Sequence, residues 1–236
     1  MFTLHNGDCL EYMKTLQPES IDCIVTDPPY GVEYRQNGWD KEIPDWIEVA
    51  RVVSKTVIFT TAIATLWQYP QPDWVGCWHN IAGASRSKLN GFNHWTPIVI
   101  YGKPSFAIDT FETRMGVTVN ENKGIDHPSP KPLRLMRWII ENATKEGETV
   151  LDPFMGSGIT GVAAVQLQRS FIGCEISPEY FSIAEKRIQS AALQPSLFTP
   201  SNNRLQPTAF GVGTQASFPL LGGSQADESS ATHGGG

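Results

Sequence analysis

The chain has 236 residues, 40% of them hydrophobic and 18% charged, a net charge of −6 and four cysteines with no CxxC pair. This is the composition of one globular domain with something appended; it excludes a disulfide framework and a cysteine zinc site, and the acidic balance taken globally argues against a nucleic-acid partner. The start "MFTLHNGDCL" reaches Asp8 before an apolar signal core can form, and no run approaches the roughly 18 apolar residues of a membrane span, so a cytoplasmic protein is expected.

The first strand signal is "FTLH" at 2–5, and Asp8 with Glu11 three residues later resembles a capping box ahead of Leu10, Met13 and Leu16. "IDCIVT" at 21–26 is a second strand, and Pro44 opens a helix with Trp46, Val49, Ala50 and Val53 on one face. Strands follow at "TVIFTT" (56–61) and "TPIVIYG" (96–102), then a helix opened by Pro132 that carries Leu133, Met136, Ile139, Ile140 and Ala143. "ETVLD" (148–152) and "SFIGCE" (170–175) are the last strands, and Ser177-Pro178 caps a helix bearing Phe181, Ala184, Ile188 and Ala191. Strands alternating with helices predict an α/β, doubly wound, mostly parallel sheet.

The charge is unevenly spread. From Trp74 to Ile108 there is no acidic residue, while Arg86, Lys88 and Lys103 are basic. The same window holds Trp74, Trp78, His79, Asn80, Asn90, Asn93, His94 and Trp95, side chains suited to stacking on bases or reading their edges. A solvated loop with core tryptophans is the equally weighted alternative.

Gly156, Gly158 and Gly161 in "LDPFMGSGITG" (151–161) fit G-x-G-x-x-G between a strand and a helix, with Glu175 at the end of the next strand placed to accept from ribose hydroxyls. A nucleotide site follows, but Asp152-Pro153 puts negative charge where a pyrophosphate would sit. A carboxylate there suits a cationic cofactor, and S-adenosyl-L-methionine carries a sulfonium and an ammonium beside its adenosine.

"DPPY" at 27–30, "HPSPKP" at 127–132 and "DPFMGSG" at 152–158, in that order, resemble the exocyclic-amino DNA methyltransferases, which make N6-methyladenine or N4-methylcytosine. The order is similar to that of the permuted class called beta, and the resemblance spans about residues 2–190. It implies a Rossmann-like methyltransferase fold with circularly permuted motifs over 1–195 and a small inserted target-recognition region at about 74–126. Asp27 and Asp152 are then expected to share one pocket.

The resemblance also implies roles. The Asp27 carboxylate and the Pro28 carbonyl would accept the two hydrogens of the target amine, drawing its delocalised lone pair toward attack. Pro28 and Pro29 keep the turn rigid and donor-free, and Tyr30 would stack on a flipped base, with a core tyrosine as the plain alternative. Cofactor contacts carry over to Asp8, His127, Lys131, Asp152, Phe154, Gly156, Gly158 and Glu175; Asp8 is equally a helix cap, and His127 and Lys131 equally belong to a Pro-rich loop. DNA contacts are expected at Arg86, Lys88 and Trp95, where Trp95 is either a second face of the base stack or core. Double-stranded DNA is the expected substrate and no metal is expected. Adenine-N6 is the leading target, since Asp-Pro-Pro-Tyr is the more usual adenine element; cytosine-N4 and an inactive DNA-binding relative are the alternatives.

Beyond Pro195 periodicity stops, and 196–236 is expected to be a disordered, Gly/Ser/Pro/Gln-rich tail. At its junction "QPSLF", Gln194 to Phe198, is similar to peptides that dock on the bacterial sliding clamp; a local plug and a chance match are the alternatives.

Overall fold

The computed structural model describes residues 1–32, 40–80, 85–86, 92–104, 106, 109–113 and 131–193. The chain divides into two units, Met1–Phe198 and Thr199–Gly236, and every described residue lies in the first. The tail and Gln194 to Phe198 therefore fall outside the described residues.

In chain order the elements begin with β1 (Phe2–Asn6), α1 (Cys9–Lys14), β2 (Cys23–Thr26), α2 (Ile47–Val53) and β3 (Val57–Thr60). A 3-10 turn (Leu66–Gln68) leads to β4 (Trp74–Asn80), the short pair β5 (Ser85–Arg86) and β6 (Phe92–Asn93), β7 (Trp95–Tyr101) and β8 (Thr110–Thr113). The remainder is α3 (Leu133–Ala143), β9 (Thr149–Asp152), α4 (Ile159–Gln166), β10 (Ser170–Glu175) and α5 (Pro178–Leu193).

Eight strands form one sheet in the order β1-β10-β9-β2-β3-β7-β4-β8. β1, β10, β9, β2 and β3 are mutually parallel, and β7 runs antiparallel to both β3 and β4. "CIVT" and "VIFT" are buried at every position, as central parallel strands covered on both faces must be. Leu135, Met136, Ile139, Val162, Ala184 and Ile188 of α3, α4 and α5 cover one face; Met13, Trp46, Ile47 and Ala50 from the α1 and α2 region cover the other. Between the other two helices of its layer, α4 is apolar all round, and a Cβ on its Gly161 would collide with Ile188 and Phe171.

From β9 the chain steps through α4 to β10 on one side, and from β2 through α2 to β3 on the other. The order therefore diverges between β9 and β2, the switch point at which open α/β sheets form their ligand crevice, and Asp152 and Asp27 stand at the carboxyl ends of these two strands.

β4 and β8 belong to the main sheet. Two features differ from the sequence reading. Trp78 is a core residue, 6% exposed, with its Nε1 donating to Thr113 Oγ1 at 3.0 Å, and is not a base reader. Gly76 and the polar end of β4 hide its strand character from pattern analysis, and pairing with β7 on one side and β8 on the other supplies it. The capping box is half formed: Asp8 Oδ1 accepts from Leu10 and Glu11 backbone N–H at 2.7 and 3.1 Å, while the Glu11 carboxylate pairs with Lys14 at 2.8 Å.

Candidate active site

Asp27 leaves the end of β2, and its carboxylate meets side chains from its own turn, from β3 and from just ahead of α3. Lys131 Nζ lies 2.6 Å from Oδ2, and the Tyr30 hydroxyl donates to Oδ1 at 2.7 Å. Thr60, at the end of β3, donates to the same Oδ1, and its Oγ1 is 3.0 Å from the Tyr30 hydroxyl. The Lys131 ammonium also sits 5.0 Å from the Tyr30 ring centroid, so it faces a carboxylate and an aromatic ring together. Burial beside Asp27 raises the Tyr30 phenol well above its ordinary range, which keeps it a donor.

The Pro-Pro-Tyr turn is held from behind by Asp40. Its Oδ1 accepts from the backbone N–H of Tyr30 and, at 2.9 Å, of Gly31, and the residue is 3% exposed. Gly31 has φ +69, a left-handed conformation that glycine adopts without strain, and a Cβ there would press on Ile43.

The glycine loop is organised by two carboxylates. Glu175 receives Gly156 N–H on Oε2 at 3.0 Å and Ser177 N–H on Oε1 at 2.8 Å, which ties the loop to the end of β10. Gly156 and Gly158 turn with φ +50 and +80. Burial raises the Glu175 carboxyl. Asp152, 2% exposed, accepts from Thr26 Oγ1 at 2.5 Å and Phe154 N–H at 3.0 Å, and burial pushes it up to about 7.

The expected residues are thus distributed unevenly. Asp27, Tyr30, Lys131 and Asp152 meet around the crevice, with Gly156, Gly158, Phe154 and Glu175 on its β9–β10 side and Asp8 at the head of α1. Lys131 stands on the Asp27 carboxylate, and Asp152 is buried among protein donors. Tyr30 anchors its hydroxyl on Asp27. Trp95 begins β7 at 40% exposure, opposite His79 of β4. Arg86 is in β5, while Lys88 and His127 lie outside the described residues. Sequence reasoning missed Thr26, Thr60 and Asp40; each threonine was legible only as a strand end, and Asp40 in "GWDKE" carried no motif.

A family model described as DNA methylase (N6_N4_Mtase) matches residues 109–186. The type II methyltransferase M2.DpnII of Streptococcus pneumoniae is 27% identical, over 79% of this chain and 89% of its own. The DNA adenine methyltransferase YhdJ of Escherichia coli (strain K12) is 26% identical, over 80% and 83%. A crystal structure of the M1.HpyAVI-SAM complex superposes with a TM-score of 0.60 at 25% identity, covering 79% of this chain and all of that one. Over these spans the chain is similar to the N6/N4 DNA methylases.

The cofactor of such a methylase is S-adenosyl-L-methionine, and the residues present fit it. Glu175 takes the Gly156 and Ser177 backbone N–H groups, and its two oxygens retain acceptor capacity for a ribose hydroxyl. Phe154 offers a partly buried ring, held edge-on by Trp46 at 5.4 Å between centroids.

Proposed function

We propose that this methylase transfers a methyl group to the N6 amino group of adenine in DNA. The observation that carries the reading is the position of Asp27, at the carboxyl end of β2, next to the strand that enters the glycine loop. An aspartate heading Pro-Pro-Tyr is the more usual adenine form of this element, and YhdJ, a relative over four-fifths of the chain, is named an adenine methyltransferase.

When bound, S-adenosyl-L-methionine supplies an electrophilic methyl on a sulfonium. The protein's part is to make a poor nucleophile react. Asp27 accepts one amine hydrogen and the Pro28 carbonyl the other, which draws the nitrogen toward tetrahedral geometry and stabilises the positive charge that grows on it. The nitrogen bonds to the methyl carbon as the carbon–sulfur bond breaks, and the surplus proton leaves along the hydrogen bond to Asp27 toward solvent. Tyr30 stacks on the flipped base, with Trp95 near its other face. Lys131 and Thr60 hold the carboxylate in place. Glu175, Asp8, Phe154, Gly156 and Gly158 form the cofactor side, and Arg86 and Lys88 contact phosphates.

Methyl-labelled cofactor, unmethylated DNA and nucleoside analysis of the product test this. The reading expects label in N6-methyladenine. Label in N4-methylcytosine would correct the base, and unlabelled DNA would overturn the activity.

A further inference from the structure

The hydrogen bond between Thr26 and Asp152 joins the two halves of the crevice. Thr26 is the last residue of β2 and immediately precedes Asp27; Asp152 is the last of β9 and immediately precedes the turn into the glycine loop. Paired positions of the two strands stop at Ile24 with Leu151. Beyond that point the backbones part, and the Thr26 Oγ1 to Asp152 Oδ1 bond at 2.5 Å spans the opening. The same Oδ1 accepts Phe154 N–H at 3.0 Å, and the Thr160 hydroxyl of α4 bonds the same carboxylate.

All three side chains are inside the protein, at 1%, 2% and 1% exposure for Thr26, Asp152 and Thr160. A carboxylate at such a place is unfavourable, and apolar residues would hold two strands already joined by their ladder equally well. What an apolar pair lacks is direction. A hydrogen bond fixes the separation of two strand ends to a few tenths of an ångström, and that separation sets how far the methyl donor stands from the amine. Misplacement by about 1 Å in such a reaction is worth on the order of 10²-fold in rate.

We propose that Thr26 and Asp152 are positioning residues, a buried brace that sets the distance between the amine-binding Asp27 and the glycine loop that carries the methyl donor. The proposal rests on the reading of the site as a DNA amino-methyltransferase. Neither residue touches substrate; Thr26 acts through Asp27, and Asp152 through Phe154 and the loop.

The test uses the full chain with Thr26→Val, which keeps shape and removes the donor, and Thr26→Ser, which keeps the donor. Cofactor affinity by equilibrium dialysis, affinity for unmethylated DNA and the single-turnover rate at saturation of both are measured for each. The brace expects Thr26→Val to bind both ligands within about twofold of the unaltered protein yet transfer at least about tenfold more slowly, with Thr26→Ser within about threefold in rate. A Thr26→Val rate within twofold of the unaltered protein, a Ser variant as slow as the Val variant, or a rate loss matched by an equal loss of cofactor affinity would each overturn it. If Thr26→Val does not fold, Thr26→Cys, a weak donor of similar size, must be at least threefold slower than Thr26→Ser, and equality overturns the brace. Failure of the underlying reading is separate, because the unaltered protein would then put no methyl on DNA.

Discussion

Lys131 Nζ stands 2.6 Å from Asp27 Oδ2, and the two side chains are only 8% and 24% exposed. The pair joins residues 104 positions apart, Lys131 just ahead of α3 and Asp27 at the end of β2. Removing one member of a fully buried pair costs about 3–5 kcal/mol, because the other charge is left unpaired. Here partial exposure of Asp27 lowers that to about 2 kcal/mol. A double-mutant cycle on Asp27→Asn and Lys131→Met, read by urea unfolding, should therefore show a coupling of about 1–2 kcal/mol. Independent, additive effects would mean that the pair does not persist in solution.

The Tyr30 ring and hydroxyl have separable tasks. Its hydroxyl donates to Asp27, which Thr60 also does, whereas the ring alone can stack on a base. Tyr30→Phe is expected to lower the transfer rate by less than about tenfold, and Tyr30→Ala by about ten- to a hundredfold, since base stacking is worth roughly 1–3 kcal/mol. Equal losses in the two variants would assign the role to the hydroxyl.

The buried Asp152 makes stability depend on pH in a defined direction. Its carboxyl is raised from 3.8 to about 7, chiefly by burial, with Asp27 adding to the rise. The folded chain therefore holds this proton more tightly than the unfolded chain, and the Asp152 contribution to stability falls as pH rises from about 4 to about 7. Asp152→Asn removes the titration while keeping an acceptor for Thr26. Its stability relative to the unaltered protein should climb between pH 5 and pH 8 in parallel denaturation curves, and a constant difference would contradict the assignment.

Arg86 and Lys88 stand for the basic window in an otherwise acidic chain. Replacing both with alanine should weaken DNA binding and reduce the slope of log affinity against log salt by about two units, since each phosphate contact contributes about 0.9. Cofactor affinity should be unaffected. An unchanged slope would move the phosphate contacts elsewhere on the protein.

The parallel sheet was legible because its strands are short β-branched runs set between helices, and "CIVT" and "VIFT" are buried on both faces in the structure as such runs require. The adjacency of β2 and β9 was not a property of local pattern, since 126 residues separate Thr26 from Asp152, and it was reached through the family resemblance. Long-range partners explain what was missed. Thr60 and Asp40 gain significance only when folding brings one to the Asp27 carboxylate and the other to the backbone of Tyr30 and Gly31. The aromatic window misled for the opposite reason: Trp78 reads as a surface stacking residue until β8 supplies Thr113 as a buried acceptor for its indole.

The central claim is that Asp27 acts on the reacting amine. Its most direct measurement is the single-turnover methyl transfer rate of Asp27→Ala to unmethylated DNA, taken alongside cofactor affinity. Loss of a group that stabilises developing charge is worth on the order of 10²–10³ in rate. The account expects a fall of at least that size with cofactor affinity unchanged within about threefold; residual transfer above about one percent of the unaltered protein's rate would contradict it.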